Sequence, residues 1–410
     1  LNGSDCLATL KIMQQMGVHL EKTPSHIRLK GVGLYGLQAP PCVLDAENSG
    51  TTMRLLAGLL TAQKFNSVII GDASLSQRPM GRIIKPLRRM GANITGLDME
   101  FAPLSIEAVP HLHASEHHPP VASAQVKSAI MLAGLYCQGK TIINEVAISR
   151  DHSERMLELF GAQISHQGKR IELIGGLELQ QQDIDVPGDF STAAYFIALA
   201  LCCSGSLNIH NVGLNPTRTG FLRAVQRMGA RIQIMNQRLK SNELRADLYM
   251  VQSDLHPVEI DIEEIPTLID EVPILAILAS RADGISIIKG ISELKVKESN
   301  RLNAIVEEFS KFGLEIWVEG DQLLIDGRVH KPCASLIGLN HYKDHRIAMS
   351  LAVLALISRE KIELNDADIV DISCPQFWQL LTKVLPEGTL STEILAFPRR
   401  ESLESAVNHP

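Results

Sequence analysis

The sequence predicts an α/β protein of two domains, each built from three βαβαββ units. Two observations carry this. A helix-ending phrase of Met or Phe followed by Gly recurs at Gly17, Gly91, Gly161, Gly229 and Gly313, each time ahead of a β-prone run. Between these phrases lies a second kind of helix, polar at its start and then rich in Ala and Leu. Its copies begin near Asn48, Ser123, Asp189, Asp270 and Asp344. Self-similarity at a spacing of about 70–80 residues marks copies of one supersecondary block.

Taken in order, the first block opens without its front, and its helix ends at Met16-Gly17-Val18. The glycine of each phrase sits just past an amphipathic helix, where it takes the left-handed C′ conformation cheaply. Strand runs such as Ala230-Arg231-Ile232-Gln233-Ile234 follow, and Val318-Glu319-Gly320-Asp321-Gln322-Leu323 reads as a hairpin. In the second block Pro79 suits a first helical position, whereas Pro86 should kink or interrupt that helix. The apolar stretch 193–201 implies a helix buried on most sides. The seam falls at Ile184-Asp185-Val186-Pro187. It divides the chain into domains 1–186 and 187–390 and a loosely attached tail, 391–410.

Composition narrows the function. A net charge of −7 disfavours nucleic acid or an anionic membrane as partner, and 4 % aromatic residues leave few stacking platforms for bases. The longest apolar run, Ala193 to Cys203, is about half a bilayer span. The seven cysteines are scattered without a CxxC pair, which points to reduced thiols and a cytoplasmic location. No signal peptide opens the chain, and a trimmed N-terminus is expected because it does not begin with Met. Gly31-Val32-Gly33-Leu34-Tyr35-Gly36 matches a dinucleotide fingerprint, but Pro40-Pro41 follow where its helix should run. His111, His113, His117 and His118 read as a solvated loop, and no metal site is expected.

Chemistry concentrates at helix starts. Asn48-Ser49-Gly50-Thr51-Thr52-Met53-Arg54 joins capping residues to a glycine that lets a ligand approach the backbone. Unpaired N–H groups and the positive end of the dipole favour an anion there. Arg78, Ser149-Arg150-Asp151-His152, Lys297-Glu298-Ser299-Asn300-Arg301 and Asp344-His345-Arg346 add cations at further starts. Lys297 and Arg301, spaced i and i+4, should share one helix face. Cations at a helix N-terminus oppose the dipole, so their recurrence predicts a cleft for substrates carrying several negative charges. Asp270 and Glu298 would be carboxylates held among those cations for proton transfer.

These residues carry a resemblance. The motifs above, with Gln77-Arg78-Pro79-Met80, Pro187-Gly188-Asp189 and Asp270-Glu271-Val272-Pro273, occur in order and together resemble bacterial-type enolpyruvylshikimate phosphate synthases over about residues 1–380. The resemblance implies an inside-out α/β barrel in each of two domains. It also implies transfer of the enolpyruvyl group of phosphoenolpyruvate to the 5-hydroxyl of shikimate 3-phosphate, with no metal or organic cofactor and the protein a monomer. By matching position, Gly50, Arg78, Gln125, Arg301 and Arg346 resemble phosphoenolpyruvate contacts. Ser123, Ala124, Gln125, Ser149, Arg150, Asp270 and Lys297 resemble shikimate 3-phosphate contacts. Asp270, Glu298 and Lys297 resemble the catalytic set. Room beside Gly50 implies inhibition by glyphosate in competition with phosphoenolpyruvate.

The match has departures. A Lys-Ser…Asn-Arg segment that the resemblance places ahead of the first helix is absent from these 410 residues, and without it inactivity is expected. Ala124 stands where some members have serine, and Ile372-Ser373-Cys374-Pro375 lacks a phosphate-binding lysine. Two rival readings are a UDP-N-acetylglucosamine enolpyruvyl transferase and a non-catalytic anion-binding repeat protein. The first usually carries a reactive cysteine ahead of the Arg-Pro, and the loop Gly71-Asp72-Ala73-Ser74-Leu75-Ser76-Gln77 has none. The second has no need of Asp270 or Glu298.

Overall fold

The computed structural model describes residues 2–385 apart from 334, 335 and 337, so the predicted tail at 391–410 lies outside the described residues. Leu1–Pro375 form one compact unit, and Gln376–Pro410 a second whose described part contains the helix Phe377–Val384. No helix among the described residues is long and apolar enough to cross a membrane.

The first unit is built by repetition. It opens with α1 (Ser4–Gln15) and the hairpin β1 (Leu20–Lys22) and β2 (Ile27–Leu29). A full block follows: β3 (Leu44–Asp45), α2 (Gly50–Leu60), β4 (Ser67–Ile70), α3 (Gly81–Arg89), β5 (Asn93–Leu97) and β6 (Phe101–Glu107). Its sheet runs β3-β4-β6-β5, with β3 parallel to β4 and the other pairings antiparallel. The next block repeats the order with β7 (Glu116–His117), α4 (Ala124–Gly134), β8 (Lys140–Asn144), α5 (His152–Leu159), β9 (Gln163–Gln167) and β10 (Arg170–Ile174).

The fourth block contains α6 (Phe190–Cys202), β11 (Ser206–Gly213), α7 (Gly220–Arg227), β12 (Ile232–Lys240) and β13 (Glu243–Val251). Its first strand is reduced to a parallel bridge between Gly188 and Val212. The fifth is complete: β14 (Glu259–Ile260), α8 (Val272–Ala279), β15 (Ile285–Lys289), α9 (Arg301–Ser310), β16 (Leu314–Glu319) and β17 (Gln322–His330). After it come α10 (His345–Ser358) and a 3-10 turn at Ala367–Ile372, so the sixth block shows no hairpin among the described residues. The predicted α/β class and βαβαββ block are what the chain adopts.

Each block works by one logic. The five phrase glycines all take positive φ, between 80° and 92°, and end the amphipathic helices as predicted. The apolar helices α6, α8 and α10 pack on one another, which explains why every α8 residue is buried. In the other half α2 meets α4 so closely that a Cβ on Gly58 would lie 2.2 Å from the Ala129 carbonyl oxygen. The side chains of Met53, Ile69, Leu87, Ile94, Leu104 and Ile130 fill the core around them.

Three local expectations are corrected. Pro79 precedes α3 by two residues, because Leu75–Gln77 form a 3-10 turn and Arg78 is extended; Pro86 lies within α3 without ending it. Lys297 is extended and precedes α9, whose cap is Asn300, so it shares no helix face with Arg301. The histidine loop is not wholly solvated. His117 lies in β7, 2 % exposed and bonded to Ser115 Oγ at 2.9 Å, and burial together with Arg89 and His118 pushes its pKa down to about 4.

Candidate active site

The buried helices begin side by side, and their first residues meet. Ser49 caps α2, Ser123 caps α4, Asp189 caps α6 and Asp344 caps α10, each accepting a backbone N–H of its own first turn. Asp270 lies in a 3-10 turn, Ile269–Glu271, that feeds α8 rather than within an α-helix. The caps consume carboxylates and hydroxyls that the sequence offered as site residues. What remains for ligands is mostly guanidinium.

Asp270 is the centre of charge. Arg150 Nη2 donates to its Oδ2 at 2.5 Å, while Lys297 Nζ stands 3.6 Å, Arg301 Nη1 3.5 Å and Arg346 Nη2 3.8 Å from its oxygens. Burial pushes this carboxyl up, but Arg150, Lys297, Arg346 and Arg301 outweigh it and hold it well below the usual carboxylate range. Lys297 responds in the opposite sense. Burial lowers its ammonium pKa, and Asp270 only partly restores it. Lys297 and Arg301 thus meet at Asp270 although no helix face unites them.

Glu298 is held similarly. It accepts from Arg301 Nη2 at 2.5 Å and Arg78 Nη1 at 3.3 Å, and despite burial these cations keep it far below its ordinary pKa. Arg301 is fully buried and also donates from Nε to Asp344 Oδ2 at 2.9 Å, which links Glu298, Asp270 and the α10 cap through one guanidinium. Ser74 Oγ donates to the Glu298 carbonyl at 3.1 Å, and Arg82 Nη1 lies 3.2 Å from Glu293. Residues from the two halves of the chain are therefore in direct contact here.

Beside this cluster, Gln125 Oε1 accepts from Arg54 Nη1 at 2.6 Å, and its Nε2 donates to Thr51 Oγ1 at 2.8 Å. A methyl group on Gly50 would sit 2.9 Å from Arg54 Nη1 and 3.2 Å from Arg78 Nη1, so the missing Cβ keeps both guanidinium ends in place. Buried Nε–H groups of Arg54, Arg78 and Arg218 have no hydrogen-bond partner among the described residues. Unpaired buried donors on cations favour an anionic ligand. Ser123 Oγ accepts from Val126 N, which leaves its O–H to donate, and Ala124 offers only its backbone N–H. Ser149 is buried with its hydroxyl turned to Glu145.

Three residues escaped the sequence reading. Arg54 was seen only as part of a helix start; burial, with Arg82 and Arg78 nearby, lowers its pKa to about 10. Arg218 donates to Ser191 Oγ at 2.6 Å and lies 3.4 Å from Asp189. Its signal was available, since Asn215-Pro216-Thr217-Arg218 is another cation just ahead of a helix. Asp5 looked like an ordinary acidic residue in the first turn of α1. Burial and Glu298 raise its pKa from 3.8 to about 6, against the pull of Arg78 and Arg346.

Asp5 therefore binds its proton more tightly folded than unfolded. Its stabilising contribution is complete below pH 3.8 and is lost as pH rises through about 6. Asp5→Asn, permanently neutral, should unfold at a higher temperature than the parent above pH 6 and at the same temperature below pH 4. Thermal unfolding across that range checks it, and coincident curves above pH 6 would refute the assignment.

Residues 1–381 match the family model described as EPSP synthase (3-phosphoshikimate 1-carboxyvinyltransferase). The chain is similar to the 3-phosphoshikimate 1-carboxyvinyltransferase of Alkaliphilus metalliredigens, 46 % identical over 395 residues, covering 94 % of this chain and 90 % of the relative. The enzyme of the same name from Brevibacillus brevis is 43 % identical, with the same coverage. Among solved structures, the EPSP synthase of Acinetobacter baumannii superposes with a TM-score of 0.81 at 40 % identity, covering 93 % of this chain and 88 % of the other. The enolpyruvyl transferase NikO of Streptomyces tendae shares the fold, with a TM-score of 0.72 at 16 % identity over 93 % of this chain and 87 % of its own.

Proposed function

Because the chain belongs to the EPSP synthase family, we propose that its cleft transfers the enolpyruvyl group of phosphoenolpyruvate to the 5-hydroxyl of shikimate 3-phosphate, releasing phosphate. The observation that carries the reading is Asp270, a buried carboxylate ringed by Arg150, Lys297, Arg301 and Arg346. The site's own carboxylates answer its cations. Two anionic substrates take over that role and leave Asp270 to the hydroxyl.

In the proposed assignment Arg78, Arg301, Arg346 and Gln125 receive phosphoenolpyruvate beside Gly50. Ser123, the Ala124 backbone, Gln125, Ser149 and Arg150 receive shikimate 3-phosphate, and Lys297 spans both. The 5-oxygen adds to C2 of phosphoenolpyruvate while C3 takes a proton, giving a tetrahedral intermediate. The methyl group then returns a proton as the bond to phosphate breaks. Asp270 accepts or orients the 5-hydroxyl proton. Glu298, kept ionised by Arg301 and Arg78, suits the return of the proton from the methyl group, and Asp5 is the neighbouring carboxyl that holds a proton most readily. Fixed guanidinium groups stabilise charge without reorganising. The division at residues 186/187 into two domains closing over the substrates belongs to the same proposal.

The test uses a chain that carries the Lys-Ser…Asn-Arg segment the resemblance places ahead of α1. Phosphate should appear only when phosphoenolpyruvate and shikimate 3-phosphate are both present. Release with UDP-N-acetylglucosamine instead would move the chain to the sister reaction, and no release with either would favour a non-catalytic anion binder.

A further inference from the structure

Away from the reacting centre, a lysine and two glutamates are buried together at the foot of α4 and α5. The side chains of Lys127 and Glu154 are each 1 % exposed and that of Glu145 5 %. Lys127 Nζ lies 3.1 Å from Glu145 Oε2 and 2.6 Å from Glu154 Oε1. A buried ion cluster is a weak source of stability, since packed apolar residues of the same volume often do as well. Its contacts point elsewhere. Every polar atom of Ser149 is engaged by Lys127 or Glu145. Glu145 Oε1 accepts from Ser149 N at 3.2 Å and from Ser149 Oγ, and Lys127 Nζ donates to the Ser149 carbonyl at 3.4 Å. The next residue is Arg150, which reaches Asp270.

We propose that Lys127 and Glu145 are positioning residues that preset Ser149 and Arg150 for the phosphorylated substrate, so that they govern its affinity rather than the rate of the chemical step. The inference rests on the reading of the cleft given above. Glu145 Oε1 holds Ser149 through both its N–H and its hydroxyl, which fixes the side chain as well as the backbone. Lys127 pins Glu145 by charge and binds the Ser149 carbonyl itself. The Ser149 backbone thus stays clamped through its N–H and its carbonyl. Pre-arranged donors avoid the ordering cost that a mobile loop would meet on binding.

Glu145→Gln and Glu154→Gln separate this role from simple structural support. Each removes one carboxylate from Lys127, but only the first touches Ser149. Calorimetric titration with shikimate 3-phosphate should show affinity weakened about tenfold in Glu145→Gln, the scale of one charge-assisted hydrogen bond, and less than twofold in Glu154→Gln. At saturating substrate kcat should stay within about twofold in Glu145→Gln, and KM for phosphoenolpyruvate should not move. Should Glu145→Gln fail to fold, Glu145→Asp keeps the charge beside Lys127 while drawing it back from Ser149, and the same loss is expected. Equal losses in both glutamine variants, or a fall in kcat with affinity intact, would overturn the proposal. A parent protein that does not bind shikimate 3-phosphate would instead overturn the functional reading itself.

Discussion

Replacing Asp270 by asparagine should lower kcat by about two to four orders of magnitude while substrate affinities change only a few-fold, the signature of a lost proton-transfer group. The side chain keeps its size, and its one remaining carbonyl oxygen can accept from either Arg150 or Arg301, so the cleft largely keeps its form. What disappears is a base. A strongly depressed pKa makes Asp270 a weak base while it answers Arg150, Lys297, Arg346 and Arg301, and those four cations are the cause of the depression. Phosphate and carboxylate groups of the substrates neutralise them, and basicity returns when it is needed. The folding balance shifts too. A carboxylate with a lowered pKa stabilises the fold above its unfolded pKa of 3.8 and ceases to do so as pH falls toward its folded value. The asparagine variant should therefore melt earlier at neutral pH, with the gap closing below pH 3.8. Single-turnover and steady-state measurements decide the kinetic claim, and unchanged turnover would remove Asp270 from the mechanism.

Arg301→Met should cost about 3–5 kcal/mol of stability, the scale for stripping one partner from a buried ion cluster. Arg301 is 0 % exposed, and it serves Asp344, Glu298 and Asp270 together. Methionine fills much of the space and leaves three carboxylates facing one another. Asp344 also caps α10 and accepts from Arg346 N at 2.9 Å, so the damage should reach the placement of Arg346. Arg301→Lys restores the charge without the planar fork and should recover only part of the loss. Urea unfolding provides the measurement. A shift below about 1 kcal/mol would mean that water, rather than this guanidinium, balances the three acids.

Helices and their ends were legible in the sequence because they rest on local rules. A glycine beyond an amphipathic run and a Ser or Asp ahead of an apolar one act within a few residues, and both appear where they were expected. Helix phase across a break was not legible. Lys297 and Arg301 carry helical spacing, yet Lys297 is extended at the end of a 3-10 turn and the helix starts only at Arg301, so the pair meets through Asp270. Asp5 was missed for a related reason. Its altered acidity comes from burial and from Glu298, nearly three hundred positions away, and no local pattern records that proximity. Arg218 could have been found by extending the rule of cations ahead of helices to Asn215-Pro216-Thr217-Arg218.

Every sheet in the first unit is drawn from one uninterrupted stretch of chain, whereas the cleft takes a helix start from each of several blocks. Strand pairing then needs only modest loop closures, and each block can gather its own hydrogen bonds soon after it is synthesised. The cleft has to wait until the blocks have docked. Secondary structure should mature early and ligand recognition last, so a lesion at a helix start can silence the protein while leaving its folding rate nearly untouched.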